Sequence, residues 1–240
     1  MQSIVPVCPA AGARARASDR AAGFTLIEIL VVIGIIGLIA AAFAPSLFGA
    51  GQNAKIAETQ ARILQIGTFI DGSKEVWGDV PPDDYSLLGG AGGAQSGWQF
   101  GPDDGRNTGI ESLLLHLSWQ TKGGGRFDES RGQWLLNTDG DKAPVTIPLL
   151  GHKERMEILD AWGTPFAYFS AKTGSGYRGA QRIVTTDGDG KAAEEVEARP
   201  WKDPASGAWF NPRSCQIVSA GPDRLFNTDD DLANFEVPRD

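Results

Sequence analysis

The densest group of reactive side chains lies near the C-terminus, in residues 219–232. Asp223, Asp229, Asp230 and Asp231 place four carboxylates within nine residues. These charges repel one another unless a cation or solvent separates them. Hard oxygen ligands with no neighbouring His or Cys select Ca²⁺ rather than a transition metal. The segment therefore predicts a calcium loop, and a solvated acidic tail is the alternative.

Glu28 is the second candidate, because it is the only charged residue in the apolar segment 24–48. An acid inside a bilayer costs about 2.5–3.5 kcal/mol or more when it is unpaired. A plain membrane anchor would avoid such a residue. We therefore expect Glu28 to have a partner and a function.

Other kinds of chemistry find little support in the sequence. His116 and His152 are the only histidines, too few for a His-rich zinc or iron site. Cys8 and Cys215 cannot build a disulfide framework, and we expect Cys215 to be a buried, inert thiol. No G-x-S-x-G, H-E-x-x-H or Walker motif occurs, so we predict no catalytic residues and no enzyme. A net charge of −8 argues against nucleic acid as a partner.

The segment 24–48 is long enough to place Glu28 inside a membrane. As a helix it would measure about 37 Å, against a hydrocarbon core of about 30 Å. Arg14, Arg16 and Arg20 precede it, which predicts a cytoplasmic N-terminus and an exported domain after residue 50. A secretory signal peptide is the alternative, but its apolar region is typically about 7–15 residues long.

Residues 49–77 are expected to continue the helix with one apolar face. Apolar residues recur every seven positions, with a further isoleucine on the same side: Ile56, Ile63, Ile70, Trp77 and Ile66. The other face carries Lys55, Glu58, Gln60, Arg62 and Gln65. We predict a helix that packs on its own domain and ends at Gly78 and the prolines after it.

Residues 23–28, Gly-Phe-Thr-Leu-Ile-Glu, with the apolar run behind them resemble the processing site of type IV pilins and type II secretion pseudopilins. The resemblance implies that residues 1–23 are a basic leader. A prepilin peptidase would cut between Gly23 and Phe24 and methylate the new N-terminal Phe24.

The resemblance also implies that Glu28 and Pro45 act in assembly. Cleavage creates an ammonium at Phe24, about 6 Å along the helix from Glu28. A neighbouring subunit staggered by that rise would set its amine beside this carboxylate, and an intrachain pair is the alternative. Pro45 removes one backbone hydrogen bond and is expected to kink the helix, or simply to end its buried part at the membrane boundary.

Residues 160–168 resemble the D-x-W-G-x-P-[FY]-x-Y segment of major pseudopilins, a structural turn. Trp162 and Tyr168 are expected to pack on the helix. The chain has seven Trp residues, which could stack on sugars, but they show no common spacing and packing is the preferred interpretation.

Residues 219–232 resemble the calcium loop of major pseudopilins, except that Arg224 replaces an expected Gly and Asn227 a second one. The resemblance implies side-chain ligands at Asp223, Asp229 and Asp231 and a backbone ligand at Ser219.

Two weaker acidic segments, 137–141 and 186–190, also echo calcium loops. Neither has the Gly and Glu spacing of an EF-hand. Both are expected to be turns, because Asp-Gly favours hairpins.

The predicted fold class is α+β: a long N-terminal helix, membrane-inserted in its first half, packed on a small antiparallel sheet, as in type IV pilin-like proteins. The predicted domains are 1–23, 24–48, 49–77 and 78–240. A short helix is expected at 110–120, and strands at 133–136, 145–149, 165–171, 182–186 and 216–220.

Together these features predict a structural subunit of a type II secretion pseudopilus in the bacterial inner membrane, with a periplasmic C-terminal domain. The expected partners are copies of itself, minor pseudopilins, the prepilin peptidase, and an inner-membrane assembly platform with its ATPase. One alternative is a type IV pilin of a surface fibre or DNA-uptake system. Another is a monomeric, membrane-anchored calcium- or carbohydrate-binding protein.

Overall fold

A computed structural model describes residues 24–85, 103–118, 134–144, 146–147, 150–171, 176–187 and 192–239. The side chains of 42–50, 76–77 and 192–193 are not among those described. The chain divides into two compact units, residues 1–48 and 49–240. The predicted leader, 1–23, lies outside the described residues.

The first element is helix α1, Leu26–Trp77, which has 52 residues. Within the second unit the predicted apolar face is confirmed, because Ile63, Ile66 and Ile70 are buried in the main core. The helix ends where predicted. Gly78 adopts a left-handed φ of 83°, and its N–H donates to the Lys74 carbonyl.

Arg62 was expected on the polar face of α1, and that expectation is wrong. Its side chain is buried, and its Nη1 donates to the carbonyls of Leu159 and Asp160 at 2.7 and 2.8 Å. Its Nη2 donates to Glu58 one turn earlier on the helix. A guanidinium can be buried here because carbonyl and carboxylate oxygens satisfy its N–H groups.

A second helix and seven short strands follow in the described part of the chain. They are α2 (Thr108–Ser118), β1 (Leu135–Leu136), β2 (Glu157–Ile158), β3 (Ala167–Ser170), β4 (Gln181–Thr186), β5 (Ala192–Ala198), β6 (Cys215–Ser219) and β7 (Leu232–Ala233). Every strand pairing is antiparallel: β1 with β2, β3 with β6, β6 with β7, and β4 with β5. A helix followed by antiparallel sheets confirms the α+β class and is consistent with a pilin-like fold.

The sheet formed by β3, β6 and β7 is buried on both faces. Tyr168 and Ile217 point into the core that contains the α1 isoleucines. Their neighbours Phe169 and Val218 point into a second core with Ile183 of β4. Alternating side chains of one strand therefore join the helix to the rest of the domain.

Three strands were missed and one predicted strand is wrong. Strand β5 was not expected, because its sequence, Ala-Ala-Glu-Glu-Val-Glu-Ala, favours a helix. It pairs with β4, which sets Val196 opposite Ile183. The two-residue strands β2 and β7 were also missed. The strand predicted at 145–149 is wrong for its described residues, where Ile147 is buried and its carbonyl accepts from Leu150 in a turn.

Candidate functional site

The N-terminal end of α1 has a capping arrangement that links Thr25 and Glu28. The N–H of Glu28 approaches the Thr25 hydroxyl at 3.3 Å, and the N–H of Thr25 approaches the Glu28 carboxylate at 3.5 Å. This is a capping box, in which Thr at the N-cap and Glu at the third helical position each accept from the other's backbone. The pattern T-x-x-E could have indicated it from sequence.

The scissile bond predicted between Gly23 and Phe24 adjoins this cap. Gly23 lies outside the described residues. Phe24 has no regular secondary structure, and its side chain is 75% exposed. Glu28 is likewise exposed at the start of the helix. The negative charge therefore lies at the positive end of the α1 dipole.

The described residues leave the apolar N-terminal part of α1 uncovered. Its exposed large side chains are Phe24, Leu26, Ile27, Ile29, Leu30, Val31, Val32, Ile33, Ile35, Ile36, Leu38 and Ile39. Because successive helical residues are turned by about 100°, the run of seven from Ile27 to Ile33, Glu28 excepted, covers every side of the helix. Such an exposed apolar surface must be covered by other apolar groups.

In the described part of the chain, no helix combines the length and apolarity needed to cross a membrane. The membrane-spanning function of 24–48 remains a prediction. Pro45 lies within the span of α1, but its side chain is not among those described, and the kink also remains a prediction.

Asp160 organises the turn predicted at residues 160–168. Its Oδ1 accepts from the N–H groups of Trp162 and Thr164 at 2.9 Å each, and Gly163 adopts a φ of 83°. Trp162 packs in the main core and donates from Nε1 to Gln52 on α1 at 3.2 Å. The expected packing of Trp162 on the helix is therefore confirmed.

Tyr168 is confirmed in the same core, where its hydroxyl donates to the Pro81 carbonyl. The thiol of Cys215 is also buried, and burial raises its pKa to about 12. A thiol with so high a pKa is protonated at neutral pH and is a poor nucleophile.

Two residues of the C-terminal loop have a backbone conformation typical of glycine, although neither is a glycine. Arg224 and Asn227 adopt φ values of 62° and 65°, at the positions where the calcium-loop pattern has Gly. The Arg224 guanidinium donates to the carbonyls of Thr186 and Trp162 at 2.9 and 3.1 Å. These bonds offset the strain of a left-handed Arg.

The three predicted calcium ligands do not converge in this loop. The Asp231 side chain is buried, and its Oδ2 accepts from Trp201 Nε1 and from the Asn227 N–H. Burial raises the pKa of Asp231 to about 7. Asp223 accepts from the Leu225 N–H, and Asp229 faces solvent.

Ser219, the predicted backbone ligand, donates from its hydroxyl to Asp160 Oδ2 at 2.6 Å. The loop residues thus satisfy one another, and calcium binding here remains a prediction. Among the described residues, three carboxylates approach within 4.8 Å at one place only, formed by Glu111, Asp139 and Glu157. No sequence pattern indicated that cluster, and the segment that contains Asp139 was predicted to be a turn.

Comparison with known proteins identifies the N-terminal segment. Residues 18–44 match the family model described as the prokaryotic N-terminal methylation motif. The match covers the end of the predicted leader, the cleavage junction and Glu28. No curated protein and no solved structure is significantly similar to the chain. The motif supports a type IV pilin-like protein that is a substrate of prepilin peptidase and a membrane-anchored filament subunit.

Proposed function

We propose that this chain is a structural subunit of a type II secretion pseudopilus, which polymerises through its N-terminal helix to drive protein export. One observation carries the proposal. The segment 24–39 is apolar on every side of its helix and exposed on every side, and Glu28 is its only charged residue.

The size of that surface excludes a free helix in water. Fully burying one large aliphatic or aromatic side chain gains about 1.5–3 kcal/mol. Twelve such side chains are exposed, so full burial is worth on the order of 20 kcal/mol. A bilayer supplies this cover before assembly, and neighbouring N-terminal helices supply it in a filament.

Glu28 distinguishes a filament from a simple anchor. A carboxylate among apolar side chains needs a cation when water is removed. Between Phe24 and Ala54 the sequence has no basic side chain. Prepilin cleavage would create a new amine at Phe24. In a filament, this amine on a neighbouring subunit is the cation that pairs with Glu28.

The remaining partners follow from that assembly. They are copies of this chain, minor pseudopilins, the prepilin peptidase, and an inner-membrane platform with its ATPase. The C-terminal domain would then be periplasmic. The turn built on Asp160 and the glycine-like loop at Gly221–Asn227 favour a pseudopilin over a type IV pilin of a surface fibre, because both match the major pseudopilin pattern.

Two variants separate the charge of Glu28 from its capping function. Glu28→Gln removes the charge but keeps the capping box, because this motif accepts either Glu or Gln at the third helical position. Thr25→Ala removes the cap and keeps the charge, at a cost of about 0.5–2 kcal/mol to the helix end. We expect Glu28→Gln to be processed and membrane-bound but unable to form filaments, whereas Thr25→Ala should assemble.

The measurement is filament yield in cells, by shearing, cross-linking and immunoblotting, with mass spectrometry of the N-terminus. Wild type and both variants should begin at methylated Phe24, and Gly23→Phe should remain uncut as the processing control. Normal filaments from Glu28→Gln would remove the intersubunit ion pair from the proposal. A mature N-terminus beyond residue 40 would indicate a secretory signal peptide and contradict the pilin-like assignment.

A further inference from the structure

Glu111, Asp139 and Glu157 come from three separate segments and meet inside the second unit. Glu111 lies in the first turn of α2, Asp139 in the turn after β1, and Glu157 in β2. One carboxylate oxygen from each lies within 4.8 Å of the other two. This acidic cluster is separate from the C-terminal loop and from the N-terminal motif.

Glu111 points to a missing ligand. Its side chain is 1% exposed, and its Oε2 accepts from the Tyr85 hydroxyl. Its other oxygen, Oε1, is buried, and no described N–H or O–H group donates to it, so a proton shared with the Glu157 carboxylate or a bound ligand is needed to satisfy it. A buried acceptor without a partner costs about 1–3 kcal/mol, and more when it is charged. An occupant that interacts with this oxygen would remove the penalty.

The other two acids are held by neutral donors. The Asn107 amide donates to Glu157 Oε1 at 3.2 Å and to Asp139 Oδ2 at 3.3 Å. The Thr138 N–H donates to Glu157 Oε2 at 2.8 Å. None of the three acids forms an ion pair with a basic side chain in the described ranges, and the nearby Arg155 pairs with Asp141. Arg106 and Arg155 attract Asp139 and Glu111 from a distance, but the three oriented carboxylates have no cation in direct contact among the described side chains.

We propose that the acidic cluster binds one Ca²⁺, which cross-links α2, the turn after β1, and β2. Ca²⁺ binds oxygens at about 2.3–2.6 Å, so ligands on opposite sides of it are about 4.6–5.2 Å apart. Oxygens that all lie within 4.8 Å of one another can contact one such ion, whereas Mg²⁺ usually keeps several waters and is seldom held by protein ligands alone. Three carboxylates and no His or Cys exclude a zinc-type donor set. The site does not depend on the proposed function.

A proton is the competing occupant, because burial raises the pKa of Glu157 to about 8. The two occupants have different consequences. A calcium site adds one bound ion per chain and makes stability depend on Ca²⁺ at constant pH. A shared proton adds no ion and makes stability depend on pH alone.

The experiment uses the full chain in detergent at pH 8, titrated with CaCl₂ or MgCl₂ by calorimetry and melted with CaCl₂ or EGTA. Glu111→Gln and Glu157→Gln keep side-chain size and remove one charge each, and Asp139→Asn, at a less buried position, is a third variant. Asp203→Asn is the matched control, because it removes the same kind of charge from a surface turn outside the cluster and outside the C-terminal loop.

Wild type should melt several degrees higher in CaCl₂ than in EGTA, with little effect of MgCl₂. Each cluster variant should bind one fewer Ca²⁺ per chain than the wild type and lose this shift, while Asp203→Asn should keep both. Unchanged stoichiometry in the cluster variants would overturn the proposal. Equal melting of the wild type in CaCl₂ and EGTA, with stabilisation only on acidification, would assign the cluster to a proton instead.

Discussion

Replacing Asp160 by alanine should strongly destabilise the second unit. The Asp160 side chain is 2% exposed and accepts three hydrogen bonds, from the N–H groups of Trp162 and Thr164 and from the Ser219 hydroxyl. Alanine leaves two buried backbone donors without acceptors, at about 1–3 kcal/mol each. The Ser219 hydroxyl can rotate, so we expect a total loss of about 3–5 kcal/mol.

Asp203 provides a matched control at the surface. Its Oδ1 accepts from the Ala205 N–H at 2.9 Å, and its Oδ2 accepts from the Ser206 hydroxyl at 2.6 Å. The kinds of donor are the same as at Asp160, with one backbone N–H fewer, but water can replace this carboxylate. Asp203→Ala should therefore leave the stability of the second unit nearly unchanged.

Tryptophan fluorescence during thermal unfolding measures both variants, because all seven Trp residues lie at position 77 or beyond. For a domain of this size, about 1 kcal/mol shifts Tm by roughly 2–4 °C. Asp160→Ala should lower Tm by roughly 10 °C, and Asp160→Asn by less, since it keeps the Oδ1 acceptor. Equal shifts for Asp160→Ala and Asp203→Ala would refute the argument that burial makes these hydrogen bonds important.

Two further predictions concern a buried imidazole and a strained arginine. Burial lowers the pKa of His116 to about 4, despite the weaker opposing effects of its Ser112 carbonyl partner and of Asp84. An unfolded histidine protonates near pH 6.5, so the stability contributed by neutral His116 should be complete above that pH and fall by roughly 2–3 kcal/mol towards pH 4. Urea unfolding of wild type and His116→Gln should show their difference in stability shift by this amount in favour of the variant, because buried acids such as Asp231 affect both proteins alike. Arg224→Gly should relieve about 1–2 kcal/mol of left-handed strain but lose two charged hydrogen bonds of about 1.5–3 kcal/mol each. The variant should therefore be less stable than wild type in urea unfolding, and a more stable variant would contradict this comparison of strain with hydrogen bonding.

The features that sequence predicted well are those encoded by neighbouring residues. The core face of α1 follows from a repeat of seven, which places Ile63 and Ile70 on one side of any helix. The stop at Gly78 and the turn at Asp160 depend on residues within a few positions of each other. The N-terminal motif is also local, and its family match lies in the same residues.

The features that sequence missed depend on distant partners. Arg62 is buried because the carbonyls of residues 159 and 160 meet it, 97 and 98 positions later. Strand β5 forms against its local propensity because β4 supplies a partner. The acidic cluster joins residues 28 and 18 positions apart, which no spacing rule connects. In the C-terminal loop, composition located the acids, but the direction of each carboxylate depends on Trp201 and on the loop's own N–H groups.

Glu28 shows how processing can control assembly under the proposed function. The capping bond between the Thr25 N–H and Glu28 requires only backbone that exists before and after cleavage, so it stabilises the start of α1 in both states. The intersubunit ion pair requires an ammonium at Phe24, which exists only after Gly23 is removed. The cap is exposed and worth about 1 kcal/mol, whereas breaking a desolvated ion pair by removing one partner costs about 3–5 kcal/mol. Breaking the capping bond to move Glu28 into an intersubunit contact is therefore unfavourable in the precursor, which has no ammonium at Phe24. It is favourable in the mature chain, where the ion pair can form. Under the proposed function, the Glu28 carboxylate therefore finds its cation in a filament only after the leader has been cut.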